Sequence, residues 1–383
     1  MGICKRFQFS PDDHPMKLLF LEPFFGGSHR DFARGLCDHS GHDITLVTLP
    51  ARFWKWRMRG AALHFARTMP PPQDFDGIIT TDLMSLSDLK MLVGSELPPA
   101  LVYFHENQIT YPLAQGETRD VQFGFTDITT ALAADRILFN SHTHCKAFFM
   151  ALPGFLKMMP EFHPLWVIDV IREKAGVLHP GCRFKPGEPA LADLEDGPPL
   201  IIWNHRWEFD KNPTDFFGAL DTVRERGFEF RLALLGENFQ TVPKPFVEAK
   251  ERLGACLVCY GFEKSRTAYR QWLQQGSIVI STAHQENFGI SMVEAIRHGC
   301  LPLLPDRLAY PEILPEDFHQ RFLYGSQRDL EEKLTRMLSH YADFEDCRQP
   351  LAAAMEEYAW ALMAPRYDRE FEKLVNPGAK AED

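Results

Sequence analysis

The sequence has no long apolar run, although hydrophobic residues make up 45% of its 383 positions. A helix that crosses a bilayer needs about 18 or more consecutive apolar residues, and no stretch reaches that length. The first positions, MGICKRFQFSPDDHPMK, are polar and contain two prolines, so they do not form the apolar centre of a signal peptide. The composition therefore predicts a folded protein without a membrane-spanning or secretory segment.

The sequence also lacks a disulfide framework. Its eight cysteines are scattered along the chain rather than set at short, regular spacings, which is typical of reduced thiols and predicts a cytoplasmic protein. Cys256 and Cys259 form one C-x-x-C, but no second Cys or His pair follows at zinc-finger spacing. We interpret both as structural cysteines in a buried strand rather than as metal ligands or redox thiols.

Positive charge is scarce as well. The formal net charge of −11 argues against a protein that coats nucleic acid without specificity. Residues 51–67, ARFWKWRMRGAALHFAR, depart from this balance because basic and aromatic side chains alternate there. This mixture suits a single-stranded RNA loop, but the residues alone favour an amphipathic helix with packed aromatics and solvated arginines. The candidate RNA-binding residues are Arg52, Lys55, Arg57 and Arg59.

Strands and helices alternate along most of the chain, and its length predicts two domains. Short continuous apolar runs are typical of buried parallel strands, and their alternation with helices indicates doubly wound sheets. The sequence thus predicts an α/β protein of two Rossmann-like domains that face each other across a cleft. The predicted strands are 16–24, 42–50, 75–82, 100–107, 136–141, 200–206, 230–236, 257–262, 277–282 and 301–305.

A segment rich in Pro, Gly and acidic residues marks the domain junction. We expect a flexible tail at 1–15, an N-terminal domain at 16–175, a linker at 176–199 and a second domain at 200–345. A C-terminal helix at 346–383, with a disordered end, is expected to return to the N-terminal domain.

Ligands bind beyond the carboxyl ends of the strands in such sheets, so the loops after strands are the first place to search for a site. After the first strand, Gly26, Gly27 and Ser28 precede His29, and the two glycines allow backbone N–H groups to approach a phosphate. A tight turn explains the same pattern. After the fourth strand comes a run of four polar residues that a core would not need: His105, Glu106, Asn107 and Gln108.

The second half places two cations, Arg206 and Lys211, in the loop after its first strand. Two positive charges at this position suit a diphosphate that must be stabilised as a leaving group. The competing interpretation is a pair of surface ion pairs with Glu208 and Asp210.

The segment HQENFGISMVEAIRHG is predicted to be a loop followed by a helix. Glu286 ends the loop, Glu294 lies on the helix, and the backbone between them begins the helix and favours an anionic phosphate. Each carboxylate can accept hydrogen bonds from sugar hydroxyls. The predicted contacts to a nucleotide sugar therefore include Asn287, Phe288, Gly289 and Ile290 between the two glutamates.

This segment resembles the E-x7-E motif of the retaining GT-B glycosyltransferases. The resemblance implies that Glu286 binds the donor sugar, Glu294 the ribose, and Arg206 and Lys211 the diphosphate. It implies that Gly26 to Ser28 face the phosphates, and it requires no metal or other cofactor; no D-x-D motif is evident at the site. The loop from Tyr260 to Glu263 is a positional guess for reading the base.

The segments LFLEPFFGGSHRDFARGL, FHENQITYP and FNSHTH resemble the tRNA-queuosine α-mannosyltransferase family. The resemblance implies transfer of mannose from GDP-mannose, with retention, to the cyclopentenediol of queuosine in aspartate tRNA. His105 is then a candidate to orient the donor sugar, and His29, Glu106, Asn107 and Gln108 are acceptor candidates. A lipid or metabolite acceptor and a catalytically inactive tRNA-binding protein stay open as alternatives. No oligomer and no membrane partner are predicted.

Overall fold

The structure is a computed structural model that describes residues 15–113, 116–184, 186–187, 189, 191–237 and 242–376. Residues 1–14 of the predicted tail and 377–383 of the predicted disordered end lie outside the described residues. The chain divides into two compact units, with boundaries before Pro186 and after Glu357. The C-terminal segment from Tyr358 onward belongs to the first unit.

The first unit is a parallel sheet flanked by helices. Its elements are β1 (Lys17–Phe25), α1 (Gly27–His39), β2 (Asp43–Pro50), α2 (Trp54–Thr68), β3 (Gly77–Thr81), α3 (Leu86–Val93), β4 (Ala100–Phe104), α4 (Val121–Ala133), β5 (Arg136–Phe139), α5 (His142–Leu156), α6 (Val167–Glu173) and β6 (Ala175–Val177).

The second unit repeats this plan. Its elements are β7 (Leu200–Trp203), α7 (Pro213–Glu225), β8 (Arg231–Leu234), α8 (Lys244–Arg252), β9 (Leu257–Tyr260), α9 (Arg266–Gln275), β10 (Ile278–Ile280), α10 (Ile290–Arg297), β11 (Leu301–Pro305), α11 (Tyr310–Ile313), α12 (His319–Phe322), β12 (Leu323–Tyr324), α13 (Gln327–Ser339), α14 (Ala342–Glu345) and α15 (Arg348–Ala354). The last helix, α16 (Trp360–Val375), completes the first unit.

Both sheets have six parallel strands, in the orders β2-β1-β3-β4-β5-β6 and β12-β11-β10-β7-β8-β9. Their central strands are fully buried, as the continuous apolar runs predict. The predicted fold class of two doubly wound α/β domains is therefore confirmed. None of the helices among the described residues is long and apolar enough to cross a membrane.

The predicted boundaries differ from the observed ones at both ends of the second unit. The predicted linker at 176–199 includes part of β6, which pairs with β5 and belongs to the first sheet. The chain returns to the first unit at Tyr358 rather than at position 346, because α14 and α15 still belong to the second unit.

Helix α16 packs on one face of the first sheet through aromatic side chains. Trp360 and Tyr367 are 1% exposed and contact the ring of Phe32 on α1, which stacks on Tyr103 of β4 at 4.2 Å between ring centroids. These buried rings fix α1 and β4 to each other. His29 lies in the first turn of α1, and His105 directly follows β4.

Candidate active site

The loop between β10 and α10 carries the first of the two predicted glutamates. Helix α10 begins at Ile290, so Asn287, Phe288 and Gly289 precede it, which corrects the prediction that they begin the helix. Gly289 is the N-cap with a φ of 104°, a left-handed conformation that residues with a Cβ rarely adopt. This glycine turns the chain from the Glu286 loop into α10, whose N-terminus favours an anion.

Lys211 and Glu286 are brought together because they follow β7 and β10, which are adjacent in the second sheet. The Nζ atom of Lys211 lies 3.3 Å from Oε2 of Glu286 and 3.2 Å from Oδ2 of Asp210, and it donates a hydrogen bond to the carbonyl oxygen of Gln285 at 2.6 Å. Burial alone would lower the pKa of Lys211, but the two carboxylates raise it. The ammonium therefore stays charged in a site that excludes most water.

Arg206 differs from Lys211 in its surroundings. Its guanidinium lies 3.2 Å from Oε2 of Glu208, and its side chain is 45% exposed. Both ion pairs of the competing interpretation are thus present, since Lys211 also pairs with Asp210. Arg206 faces solvent where a ligand can reach it, whereas Lys211 is built into the site.

Glu294 is held by residues that sequence reasoning missed. Its Oε2 accepts a hydrogen bond from the hydroxyl of Tyr269 at 3.4 Å, and Tyr269 accepts one from Nδ2 of Asn204 at 3.1 Å. The same amide donates to the carbonyl oxygen of Ser291 on α10 at 2.8 Å. Asn204 directly follows β7, and this position at a strand end could have identified it as a site residue. Tyr269 lies within α9, and nothing in its sequence position indicates a role in the site.

In the first unit, acidic and imidazole groups converge after β1, β3 and β4. Nδ1 of His29 lies 3.3 Å from Oε1 of Glu22, and the rings of His29 and His105 have centroids 4.1 Å apart. The backbone N–H of His105 donates to Oδ1 of Asp82 at 2.8 Å. The structure thus joins the predicted residues His29 and His105 with two carboxyl groups that were not predicted, Glu22 and Asp82.

These groups have strongly shifted pKa values. Burial would lower the pKa of His29, but the charge of Glu22 and its hydrogen bond raise it to about 9. Burial raises the pKa of Asp82 to about 8 in spite of the positive charge of His29. Burial and the charge of His29 lower the pKa of His105 well below its usual 6.5. Shifted pKa values of this kind are typical of functional sites.

The loop after β4 uses two of its predicted acceptor residues to hold itself. Asn107 is 1% exposed; its Oδ1 accepts from the backbone N–H of Thr110, and its Nδ2 is 2.9 Å from a ring nitrogen of His144. Gln108 donates from Nε2 to Oε1 of Glu106 at 3.1 Å. This differs from the predicted contacts with an acceptor, because Asn107 shapes the loop and Gln108 holds Glu106, which stays partly exposed.

The glycine loop has a packing reason for one of its glycines. A Cβ on Gly26 would lie 2.3 Å from Cβ of Ala51, so only glycine fits there. Gly27 has a φ of 50° and starts α1, with Ser28 exposed beside it. The glycine loop is therefore a tight turn. The backbone N–H groups at the start of α1 can still bind an anion.

The basic and aromatic segment combines both predicted interpretations. Trp54 packs against Phe123, whereas Phe53 and Trp56 are 69% and 75% exposed. The guanidinium of Arg57 donates to the carbonyl oxygen of Pro50. That of Arg59 donates to the backbone carbonyl and the side chain of Gln122, while Arg52 and Lys55 are exposed. One face of α2 therefore anchors the helix, and two large aromatic rings remain on the surface.

Comparison with known proteins covers both units. Residues 17–182 match the family model described as tRNA-queuosine alpha-mannosyltransferase N-terminal, and residues 189–359 match the model for glycosyl transferases group 1. The tRNA-queuosine alpha-mannosyltransferase of Drosophila melanogaster is 37% identical over 347 residues, which is 87% of this chain and 87% of that protein.

A second relative and a solved structure are more distant. GDP-mannose:cellobiosyl-diphosphopolyprenol alpha-mannosyltransferase of Xanthomonas oryzae is 23% identical over 174 residues, which is 45% of this chain and 46% of that protein. Sucrose-phosphate synthase of Thermosynechococcus elongatus superposes with a TM-score of 0.71 at 13% identity, over 94% of this chain and 100% of that chain. This last likeness shows the GT-B fold alone.

Proposed function

The chain belongs to the tRNA-queuosine alpha-mannosyltransferase family, and from this premise we propose that it transfers a mannosyl group to queuosine in tRNA. The observation that carries the proposal is the 37% identity to the Drosophila enzyme over 87% of both chains. The family model for the N-terminal part covers all six strands of the first unit, so the resemblance is not limited to the donor-binding plan that many glycosyltransferases share.

The finer proposal is that GDP-mannose is the donor, aspartate tRNA the substrate and retention the stereochemical outcome. The donor is supported by the distant relative whose name includes GDP-mannose. A cytoplasmic location is proposed as well, and the seven described cysteines, all free thiols, suit it.

In the proposed mechanism, the second unit holds the donor. Lys211, Arg206 and the N-terminus of α10 stabilise the negative charge that develops on the departing diphosphate. Glu286 accepts hydrogen bonds from the mannose hydroxyls and Glu294 from those of the ribose. These positive groups take the role that a divalent cation has in other transferases, so no metal or other cofactor is proposed for this step.

The acceptor is proposed to bind the first unit. One hydroxyl of the cyclopentenediol attacks the anomeric carbon on the face that the diphosphate leaves, and a phosphate oxygen takes its proton. His105, which burial keeps neutral, is proposed to orient the donor sugar. The exposed rings of Phe53 and Trp56 are proposed to stack on unpaired bases of the anticodon loop.

An incorporation assay tests this proposal. Aspartate tRNA with queuosine at the wobble position and a matched tRNA with guanosine there are incubated separately with GDP-mannose that carries labelled mannose. Label is expected only in the queuosine tRNA. Label in a lipid extract or a small metabolite, with none in tRNA, would support one of the other acceptors. A protein that binds the tRNA but never incorporates label would support the inactive binder.

The exposed aromatic ring gives a separate prediction for tRNA binding. Replacing Trp56 with Ala is expected to weaken binding of queuosine tRNA by about tenfold, since the loss of one base-stacking ring costs about 1–3 kcal/mol. The KM for the donor should stay unchanged. Fluorescence anisotropy with labelled tRNA measures the affinity, and Leu63→Ala, on an exposed position of the same helix, is the control.

Reversing the charges of Arg57 and Arg59 is expected to weaken tRNA binding further. Each also holds a carbonyl oxygen of the first unit, so the double variant needs a thermal melt as a check. If both the Trp56 variant and this one bound tRNA with unchanged affinity, α2 would be a solvated amphipathic helix without a role in tRNA binding.

Tyr269 gives a prediction for donor binding. Replacing Tyr269 with Phe removes the hydroxyl that contacts Glu294 and is expected to raise the KM for GDP-mannose about threefold to tenfold, as the loss of one hydrogen bond of about 1 kcal/mol implies. The kcat should change little, because the ribose contact is the same in the ground state and the transition state. A donor with 2′,3′-dideoxyribose distinguishes the loss of the ribose contact from a general loosening of the site. Without ribose hydroxyls, the KM of this donor should be the same for wild type and variant.

A further inference from the structure

The loop after β4 lies in a cluster that has more acidic than basic side chains. Four carboxyl groups interact electrostatically there: Glu22, Asp82, Glu106 and Asp127. His29 is the imidazole that the cluster holds in the charged form. The nearby guanidinium of Arg119 donates instead to the backbone carbonyl oxygens of Gln108 and Tyr111.

Three carboxylate oxygens of this cluster are buried without a hydrogen-bond partner among the described residues. They are Oε2 of Glu22, Oδ2 of Asp82 and Oδ1 of Asp127. These residues are 0%, 1% and 1% exposed. The other oxygen of each side chain accepts a hydrogen bond from a backbone N–H group, so one oxygen of each is left without a partner. Leaving a buried polar atom unsatisfied is costly, and this cost is removed when a hydrogen-bonding group arrives. The cluster therefore has three buried oxygens that can each take a further hydrogen bond.

His105 and Glu106 are partly exposed, whereas Glu22, Asp82 and Asp127 are buried. Glu106 is therefore the acid of the cluster that a ligand can reach from solvent. Burial raises the pKa of Asp82 to about 8 and that of Asp127 well above its usual value, so these two side chains act as buried hydrogen-bonding groups rather than as charges. Such a site repels the phosphates of an RNA, so the group that enters it must be a cation or a donor of hydrogen bonds.

We propose that this cluster binds the positively charged secondary amine that joins the cyclopentenediol of queuosine to its base, with Glu106 as the direct partner. The inference rests on the proposed function. The amine is attached to the ring that carries the accepting hydroxyl, so a charge-assisted hydrogen bond to it would also orient that hydroxyl. Carboxylates, which are poor ligands for the rest of the tRNA, would then serve to recognise the modified base.

A metal ion is the other cation that this region could take. Glu22, His29 and His105 each offer a ligand atom, and these atoms lie within 4.8 Å of one another. We favour the amine because Glu106, the acid of the cluster that solvent reaches, lies outside this metal-binding set. The test therefore also measures the metal content of the protein.

The test compares three tRNAs that differ only at the wobble position. The first carries guanosine, the second a 7-deazaguanosine with an aminomethyl group, and the third queuosine. The second has the amine without the diol, so it cannot accept mannose and isolates recognition of the amine. Its inhibition constant against mannosylation of the third is expected to be about tenfold lower than that of the guanosine tRNA, as a charged hydrogen bond implies.

Glu106→Gln is expected to bring the ratio of these two inhibition constants close to one. Glu96→Gln neutralises an exposed acid of the same unit and should leave the ratio unchanged. It controls for the rise in RNA affinity that the removal of any negative charge produces. Because Glu106 is partly exposed, its variant is expected to fold, and a thermal melt checks this.

Two results would overturn the inference. One is an unchanged ratio in the Glu106 variant; the other is one equivalent of metal in the isolated wild-type protein that is lost in Glu22→Gln. Both leave the proposed function intact, because wild-type mannosylation of queuosine tRNA is measured in the same assay. A wild-type protein without that activity would instead contradict the proposed function.

Discussion

Replacing Glu286 with Gln is expected to reduce mannosyl transfer by about a thousandfold, which is the upper end of what the loss of one transition-state contact costs. Glutamine keeps the shape but removes the negative charge that lies 3.3 Å from Nζ of Lys211 and accepts from the donor sugar in the proposed mechanism. Queuosine tRNA should bind with wild-type affinity, because the residues that we propose to bind the acceptor belong to the first unit. Single-turnover rates at saturating donor, together with anisotropy for tRNA, measure both.

The matched control is Glu332→Gln, which neutralises an exposed glutamate on α13 of the same unit. Its transfer rate should equal that of wild type. If Glu286→Gln lost transfer and tRNA affinity together, the proposed division of labour between the two units would be wrong. If it transferred mannose at the wild-type rate, Glu286 would not contact the donor sugar.

Replacing Lys211 with Met is expected to lower kcat/KM for GDP-mannose by about a hundredfold to a thousandfold, because the cation that we propose to stabilise the departing diphosphate is lost. The same change leaves the buried Asp210 and the neighbouring Glu286 without their ammonium. Breaking a buried ion pair costs about 3–5 kcal/mol, so the melting temperature should fall as well. Donor-dependent kinetics and thermal melts separate the two effects.

A second variant distinguishes chemistry from stability. Lys211→Met combined with Asp210→Asn removes one of the orphaned charges and should recover much of the melting temperature, but not the transfer rate. Lys244→Met, at an exposed lysine of the same unit, is the control and should change neither. Recovery of activity along with stability in the double variant would show that Lys211 acts only on the fold.

Much of the fold could be predicted because its central strands are buried on both faces and therefore appear as continuous apolar runs. The two strands that were missed, β6 and β12, have three and two residues and no such run. These two strands pair with β5 and β11, and a pattern of neighbouring residues in the sequence does not predict such pairing.

The candidate site was predictable where its residues follow strands. Glu286 and Lys211 lie after β10 and β7, which are adjacent in the second sheet, and this adjacency brings them into contact. Glu22 lies within β1 and reads as part of an apolar strand, although its carboxylate holds His29. Tyr269 reaches Glu294 from a different helix. Such partners depend on tertiary packing, and sequence spacing alone does not reveal them.

The most direct test of the central claim is a mass analysis of nucleosides. The purified protein is incubated with queuosine-containing tRNA and either GDP-mannose or UDP-glucose, and the tRNA is then digested to nucleosides. We expect a hexose on queuosine with GDP-mannose only. Unmodified queuosine with both donors, from a protein that still binds or slowly hydrolyses a sugar nucleotide, would contradict it.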